Sequence, residues 1–164
     1  MKVLLYTEGL KTVGKSGLGK AIKHQMKALD YAKIPYTLDP HDDYDILHIN
    51  TYFLKSYFLA KKAKRKGKKI VYHAHSTEED YKNGFIFAKQ TSKLFKKWLI
   101  KCYSLGDVIV TPTPYSKKLL EGYRGLENKK IYAISNGIEI DFFKRDIESG
   151  KKFRKDYNIA DNEK

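Results

Sequence analysis

The chain has 164 residues, enough for one ordinary domain with a core of its own, so no disulfide or metal staple is needed for folding. Its single cysteine, Cys102, excludes an internal disulfide framework and a cysteine-rich zinc site and is expected to be packed, while no apolar run approaches the roughly 20 residues of a membrane span. A formal net charge of +14 gives a field that attracts polyanions: nucleic acid, anionic lipid or a phosphate-bearing ligand.

In chain order, Lys2 to Thr7 reads as a buried strand closed by Gly9, and Ser16 to Ala32 as a helix spaced by Ile22, Met26 and Leu29. A short strand is expected at Pro35 to Leu38 and a buried one at Tyr44 to Asn50, then a helix from Leu54 to Lys66 closed by Gly67. Lys69 to His75 is the next strand, Ala88 to Ser104 a basic helix, Asp107 to Thr111 a strand, Tyr115 to Gly122 a short helix, and Ile131 to Ser135 the last strand. Short apolar strands alternating with helices predict an α/β fold, a doubly wound Rossmann-like parallel sheet. The chain changes character after Phe143. Residues 1–143 are read as one domain, and 144–164 as a polar linker with a weak amphipathic helix at Phe153 and Tyr157, leading into a further domain.

The segment Gly14-Lys15-Ser16-Gly17-Leu18-Gly19-Lys20 fits seven positions of a phosphate-binding P-loop, but Ala21 stands where a hydroxyl should meet magnesium. It also lacks the third glycine of a dinucleotide fingerprint, Ile22 taking that place. The glycines serve either a plain strand-to-helix turn or a close backbone approach to an anion at the helix N-terminus. A stand-alone nucleotide-binding module is the alternative reading.

Polar residues at strand ends are where open parallel sheets do chemistry, which singles out Asn50, Thr51, His73, His75, Ser76, Thr111 and Thr113. His73 and His75 share one strand face, the geometry of a metal pair, yet no third ligand is spaced to complete a site and no metal is expected. Either a histidine here bonds a sugar hydroxyl or phosphate, or His73 packs on the sheet and His75 alone meets solvent.

Eight basic residues and no acid lie from Lys55 to Lys69, and five more basic residues lie from Lys89 to Lys101. A helical projection of residues 93–103 puts Leu94, Phe95, Trp98, Leu99 and Cys102 on one face and Lys93, Lys96, Lys97 and Lys101 on the other, with Ile100 among the lysines. That is a packed helix with a solvated basic face or, together with Phe85, Ile86 and Phe87, a surface for an anionic bilayer. A basic nucleic-acid-binding domain competes on charge alone, but no helix-turn-helix, zinc finger or RNP-like aromatic motif accompanies it, so no nucleic acid is expected.

Four segments in order, SGLGKAIKHQMKAL, KIVYHAHS, DVIVTPTPYSKKLL and IYAISNGIEIDFF, resemble the N-terminal domain of family-four retaining glycosyltransferases of the GT-B fold. The likeness is greatest to bacterial enzymes that glycosylate diacylglycerol or a glycosyl-diacylglycerol for glycolipids and lipoteichoic acid anchors. It implies hexose transfer from UDP-glucose or UDP-galactose to a membrane lipid, on the cytoplasmic face of the plasma membrane. It also implies that the nucleotide-sugar is held chiefly by a C-terminal domain, through a Lys/Arg pair and two glutamates, none of which is expected here. This chain alone would then be inactive. By position, Ser16, Gly17 and Gly19 would sit near the donor phosphates, His75 near the reacting sugar as the catalytic histidine, and Asn136 and Gly137 at the turn to the domain interface. The family commonly uses no bound metal, and no cofactor beyond the sugar donor is implied.

Overall fold

The computed structural model describes residues 1–84, 88–138, 140, 143–160 and 162–163, built around a six-stranded, all-parallel sheet. The strands are β1 (Val3–Tyr6), β2 (Tyr36–Thr37), β3 (Ile46–Ile49), β4 (Lys69–His73), β5 (Val108–Thr111) and β6 (Lys130–Ala133), in the order β2-β1-β3-β4-β5-β6. The helices are α1 (Leu10–Val13), α2 (Gly17–Tyr31), α3 (Leu54–Arg65), α4 (Glu78–Gly84), α5 (Ala88–Tyr103), α6 (Pro114–Glu121) and α7 (Ile147–Asp156). The doubly wound α/β architecture is therefore present, with every expected strand. Helices α1 and α4 are additional, and β4 stops at His73, two residues short of the expected end.

Register divides the apolar residues between two faces. Leu4, Leu47 and Ile70 are aligned, and so are Ile49, Tyr72, Ile109 and Ile131. Both rows join one core cluster with Tyr57 and Ala60 of α3, Leu99 and Tyr103 of α5, and Leu120 of α6. Cys102 belongs to that cluster, and burial pushes its thiol up to about 12, so it is packing material. The opposite face carries Leu5, His48 and Val71 in one row and His73 beside Val110 in the next. Helix α2 covers that face, bringing Ala21 and Ile22 into burial. Right-handed crossovers require this split, because the chain steps one way from β1 to β2 and the other way from β3 onward.

Local chemistry ends the helices where the sequence shows it. At the end of α3, Gly67 has φ of 69°, its N–H bonds the Lys64 carbonyl at 3.0 Å, and the Lys68 N–H bonds that of Ala63 at 3.1 Å, a Schellman arrangement that favours glycine. Thr113 caps α6, its hydroxyl accepting from the Ser116 N–H at 3.0 Å, with Pro114 in the first helical position. Helix α7, in the segment read as a linker, is capped by Asp146 and contributes no buried residue.

Candidate functional site

Strand order reverses at β1, whose neighbours β2 and β3 are reached in opposite directions, and such a switch point opens a crevice beyond the carboxyl ends of the strands. A cleft of about 400 Å³ lies there, lined by Gly17 and Ala21 of α2, Asn50 after β3, His75 after β4, Pro112 after β5 and Asn136 after β6. Its backbone is tied down from beneath. The Tyr72 hydroxyl donates to the Thr51 carbonyl at 2.8 Å, the Trp98 indole N–H to that of Tyr52 at 2.7 Å, and the Tyr103 hydroxyl to that of Ser76 at 2.8 Å. Glu8, just past β1, accepts from the Ser56 N–H at 2.8 Å in the first turn of α3, a carboxylate at the positive end of a helix. Its own N–H donates to the Thr51 hydroxyl at 3.0 Å, so the ends of β1 and β3 are locked together. Loops held this way keep the cleft's geometry without a ligand.

Under α2 the structure stacks three imidazoles. The His73 ring lies 4.1 Å from that of His75, tilted by 7°, and 5.5 Å from that of His48, tilted by 14°. Desolvation, and for His48 and His73 the neighbouring rings, pushes His48 and His75 down to about 4 and His73 to about 2, so all three are neutral at pH 7. Gln25 of α2 joins them: its amide N–H₂ donates to Asn50 Oδ1 at 2.9 Å and meets His73 Nδ1 at 3.0 Å. His75 Nε2 lies 3.1 Å from the same Asn50 oxygen. His73 is buried, 6% exposed, and packs on the sheet, while His75 reaches the cleft. Rings stacked face to face keep their in-plane lone pairs in separate, nearly parallel planes, so His73 and His75 do not converge on one ion. Among the described residues no group of three His, Cys, Asp or Glu is placed to hold a metal.

The residues expected near the donor phosphates part company. Gly17 and Asn136 line the cleft beside His75. Ser16 is the exposed N-cap residue of α2 and is not among the residues lining the cleft, and Gly137 packs over α2, where an added Cβ would stand 3.3 Å from that of His24. Gly19 is buried and is not among the residues lining the cleft; its α-carbon faces the Gly14 backbone so closely that a Cβ would overlap the Gly14 carbonyl. Ala21, at the P-loop hydroxyl position, is also buried. The long connection after β1 is explained by α1, which occupies it.

On α5 the expected faces need revision. Leu94, assigned to the packed face, is 71% exposed, whereas Ile100, expected among the lysines, packs against the core at Gly125. Lys96 is turned inward, 3.1 Å from the Glu78 carboxylate and 4.1 Å from the Tyr123 ring centroid. Lys101 lies over Tyr57 and Trp98 and is exposed, as are Lys93 and Lys97. Helices α3 and α5 meet through the Tyr57–Trp98 ring pair at 5.2 Å, and α3 adds Leu54 and Phe58, 63% and 60% exposed. Phe85, Ile86 and Phe87 lie outside the described residues.

Sequence reasoning passed over Glu8, Gln25 and His48. Gln25 gives a signal in hindsight: it falls one helical turn after the buried Ala21, a polar side chain in a covered row.

A family model described as Glycosyltransferase Family 4 matches residues 15–142. The chain is also 37% identical, over 164 residues, to a processive diacylglycerol alpha-glucosyltransferase of Acholeplasma laidlawii, a match covering 100% of this chain and 48% of that protein. The chain thus spans about half the length of that curated relative.

Proposed function

The chain belongs to glycosyltransferase family 4, and from that premise we propose that it is the acceptor-side half of a retaining enzyme moving a hexose from UDP-glucose or UDP-galactose to a diacylglycerol or glycosyl-diacylglycerol. The observation that carries this reading is the convergence of Gly17, His75 and Asn136 on one cleft at the switch point. In this reading the donor diphosphate is held mainly by a second domain, and the N-terminus of α2 at Gly17 adds backbone N–H groups and a favourable dipole. Transfer proceeds by front-face attack within an ion pair, the leaving diphosphate taking the acceptor proton, so the protein positions groups and stabilises charge. His75 contacts the reacting sugar. No metal enters this chemistry.

The test is transfer from UDP-glucose or UDP-galactose to diacylglycerol in phosphatidylglycerol vesicles by the full-length protein. Activity is expected there, none from the 164-residue chain alone, and a loss of about 100-fold in kcat in His75→Ala, at the lower end for a positioned acid–base or hydrogen-bonding group. No transfer to any diacylglycerol lipid by the full-length protein would refute the reading.

The acceptor is proposed to reach the cleft across the side of α3 and α5, where Leu54 and Phe58 of α3 and Leu94, Lys93 and Lys97 of α5 are exposed, with the protein peripheral on the cytoplasmic leaflet. Among the described residues no helix is long and apolar enough to cross a membrane. Lys93→Ala with Lys97→Ala should weaken binding to phosphatidylglycerol vesicles roughly 30-fold at low salt, at about 1 kcal/mol per lysine. Lys96→Ala should matter less, its ammonium being engaged by Glu78 and Tyr123. Co-sedimentation read against salt checks both; equal effects of all three lysines would argue against this face.

A further inference from the structure

The four buried side-chain polar atoms that lack a hydrogen-bond partner among the described residues are Thr7 Oγ1, Gln25 Oε1, Asn50 Nδ2 and His73 Nε2. Thr7 follows β1, Asn50 follows β3 and His73 ends β4, so three lie at the carboxyl ends of the strands; Gln25 of α2 bonds two of them, and Asn50 itself lines the cleft. Orphaned polar atoms are costly, and their concentration in one place marks a network arranged for something other than stability.

The bonds that are made have a definite polarity. Gln25 has two amide protons, one for Asn50 Oδ1 at 2.9 Å and one for His73 Nδ1 at 3.0 Å. His73 Nδ1 is then an acceptor and its proton sits on Nε2. Asn50 Oδ1 has a second lone pair, and His75 Nε2 lies 3.1 Å from it, so His75 carries its proton on Nε2 as the donor. His48 Nε2 approaches His73 Nδ1 at 3.3 Å, where the lone pair is already taken. Reversing both amides would give an equally connected chain, but it would force His73 and His75 together into the Nδ1–H tautomer, the one free imidazole side chains disfavour.

We infer that Gln25 and Asn50 are positioning residues that hold His75 as the Nε2–H tautomer, so that its Nδ1 lone pair is the atom offered to a hydroxyl in the cleft. His75 then accepts a hydrogen bond from a sugar or acceptor hydroxyl, a more specific role than contact with the reacting sugar. The inference rests on the glycosyl-transfer reading. His73 stacks on the other side of His75 and fixes the ring plane. Burial holds His75 at about 4, so the lone pair is available throughout the neutral range. The titratable groups around it are His73 from its own segment and His48 from β3; α2 contributes the uncharged Gln25, and the loops after β5 and β6 contribute Pro112 and Asn136 at the cleft.

The experiment is a long-range proton–nitrogen correlation spectrum of the full-length protein labelled with ¹⁵N-histidine, without substrate, from pH 8 to 5.5. His75 is expected to show a protonated Nε2, an unprotonated Nδ1 and no titration in that range. In Asn50→Asp a carboxylate faces Nε2, and the His75 midpoint should rise by more than one pH unit. The pH profile of kcat/KM should gain an acid-side ionisation absent from the parent, activity falling as the pH drops through the raised His75 midpoint and Nδ1 takes a proton, with no such fall at pH 8. Gln25→Leu should release His73 Nδ1, and its altered nitrogen shift reports this in the same spectrum. An Nδ1–H tautomer at His75, or a parent midpoint near 6.5, overturns the inference, as does an unchanged pH profile in folded Asn50→Asp. Because the spectrum is read without substrate, failure of the tautomer and failure of hexose transfer are separate results.

Discussion

Between pH 6.5 and 4.5 the 164-residue chain is expected to lose about 4 kcal/mol of folding stability, a large part of the 5–15 kcal/mol of an ordinary domain. The cause is the imidazole stack under α2. An unfolded histidine takes a proton near 6.5, whereas His48 and His75 do so only near 4 and His73 near 2 in the fold. The unfolded state therefore binds more protons throughout this window, and stability falls as the pH falls. Each histidine alone would contribute up to about 1.36 kcal/mol per pH unit. The expected loss is set at about half of three independent contributions, because the rings are close enough to titrate together. Asp42, Asp45, Glu78, Glu127 and Asp146 are all held below the ordinary carboxylate range. Their contributions are present above that range and disappear only below about pH 4, so the two windows separate. Urea midpoints by circular dichroism at pH 7.5, 6.5, 5.5 and 4.5 check the expectation, with His73→Phe flattening the slope. A midpoint unchanged down to pH 4.5 would contradict it.

Gly19→Ala should destabilise the fold by about 3 kcal/mol, against the usual trend. Alanine inside a helix ordinarily gains up to about 1 kcal/mol over glycine. Here the new methyl would run into the carbonyl of Gly14, and backbone cannot swing aside as a side chain can. The junction between α1 and α2 must move or α2 must lift from His48 and His73. At Gly17, by contrast, nothing lies within 4 Å of an added Cβ, so Gly17→Ala should retain full stability while intruding on the cleft that residue lines. Thermal unfolding of the two variants side by side distinguishes a packing glycine from a cleft glycine; equal melting temperatures would remove the distinction.

The alternation of apolar strands and spaced helices carried the architecture, because a parallel sheet buried on both faces leaves an unmistakable pattern in short runs such as YDILHIN. Short elements, and those without a fully buried residue, left none. Helix α1 has four residues, and α4 has no buried residue, so neither offers a periodicity to read. Leu94 projected onto the apolar arc of α5, yet an arc records direction only and cannot say how far the neighbouring elements extend along the helix. The cleft was partly legible: strand-end residues Asn50 and His75 and the glycine loop were in view, and Gly17 and Asn136 join them in the lining. The stack beneath it was not. His73 and His75 share a face by simple alternation, but His48 enters only through the pairing of β3 with β4, which aligns it with Val71, and Gln25 only through the placement of α2. Long-range register is not written in any local window.

The strand order also bears on aggregation. A parallel sheet of this kind forms only after its long crossovers close, and until then its strands are open to pairing with other chains. In the described sheet the outermost strands are β2, with two residues, and β6, which begins at Lys130 directly after Lys129. A two-residue edge offers little backbone to an incoming strand, and at the other the exposed Lys130 sets a charge against a like-charged copy, while the Lys129 ammonium is turned inward to the Gly106 carbonyl at 2.8 Å. The same net charge of +14 is therefore expected to disfavour addition of one copy's sheet to another's at high concentration.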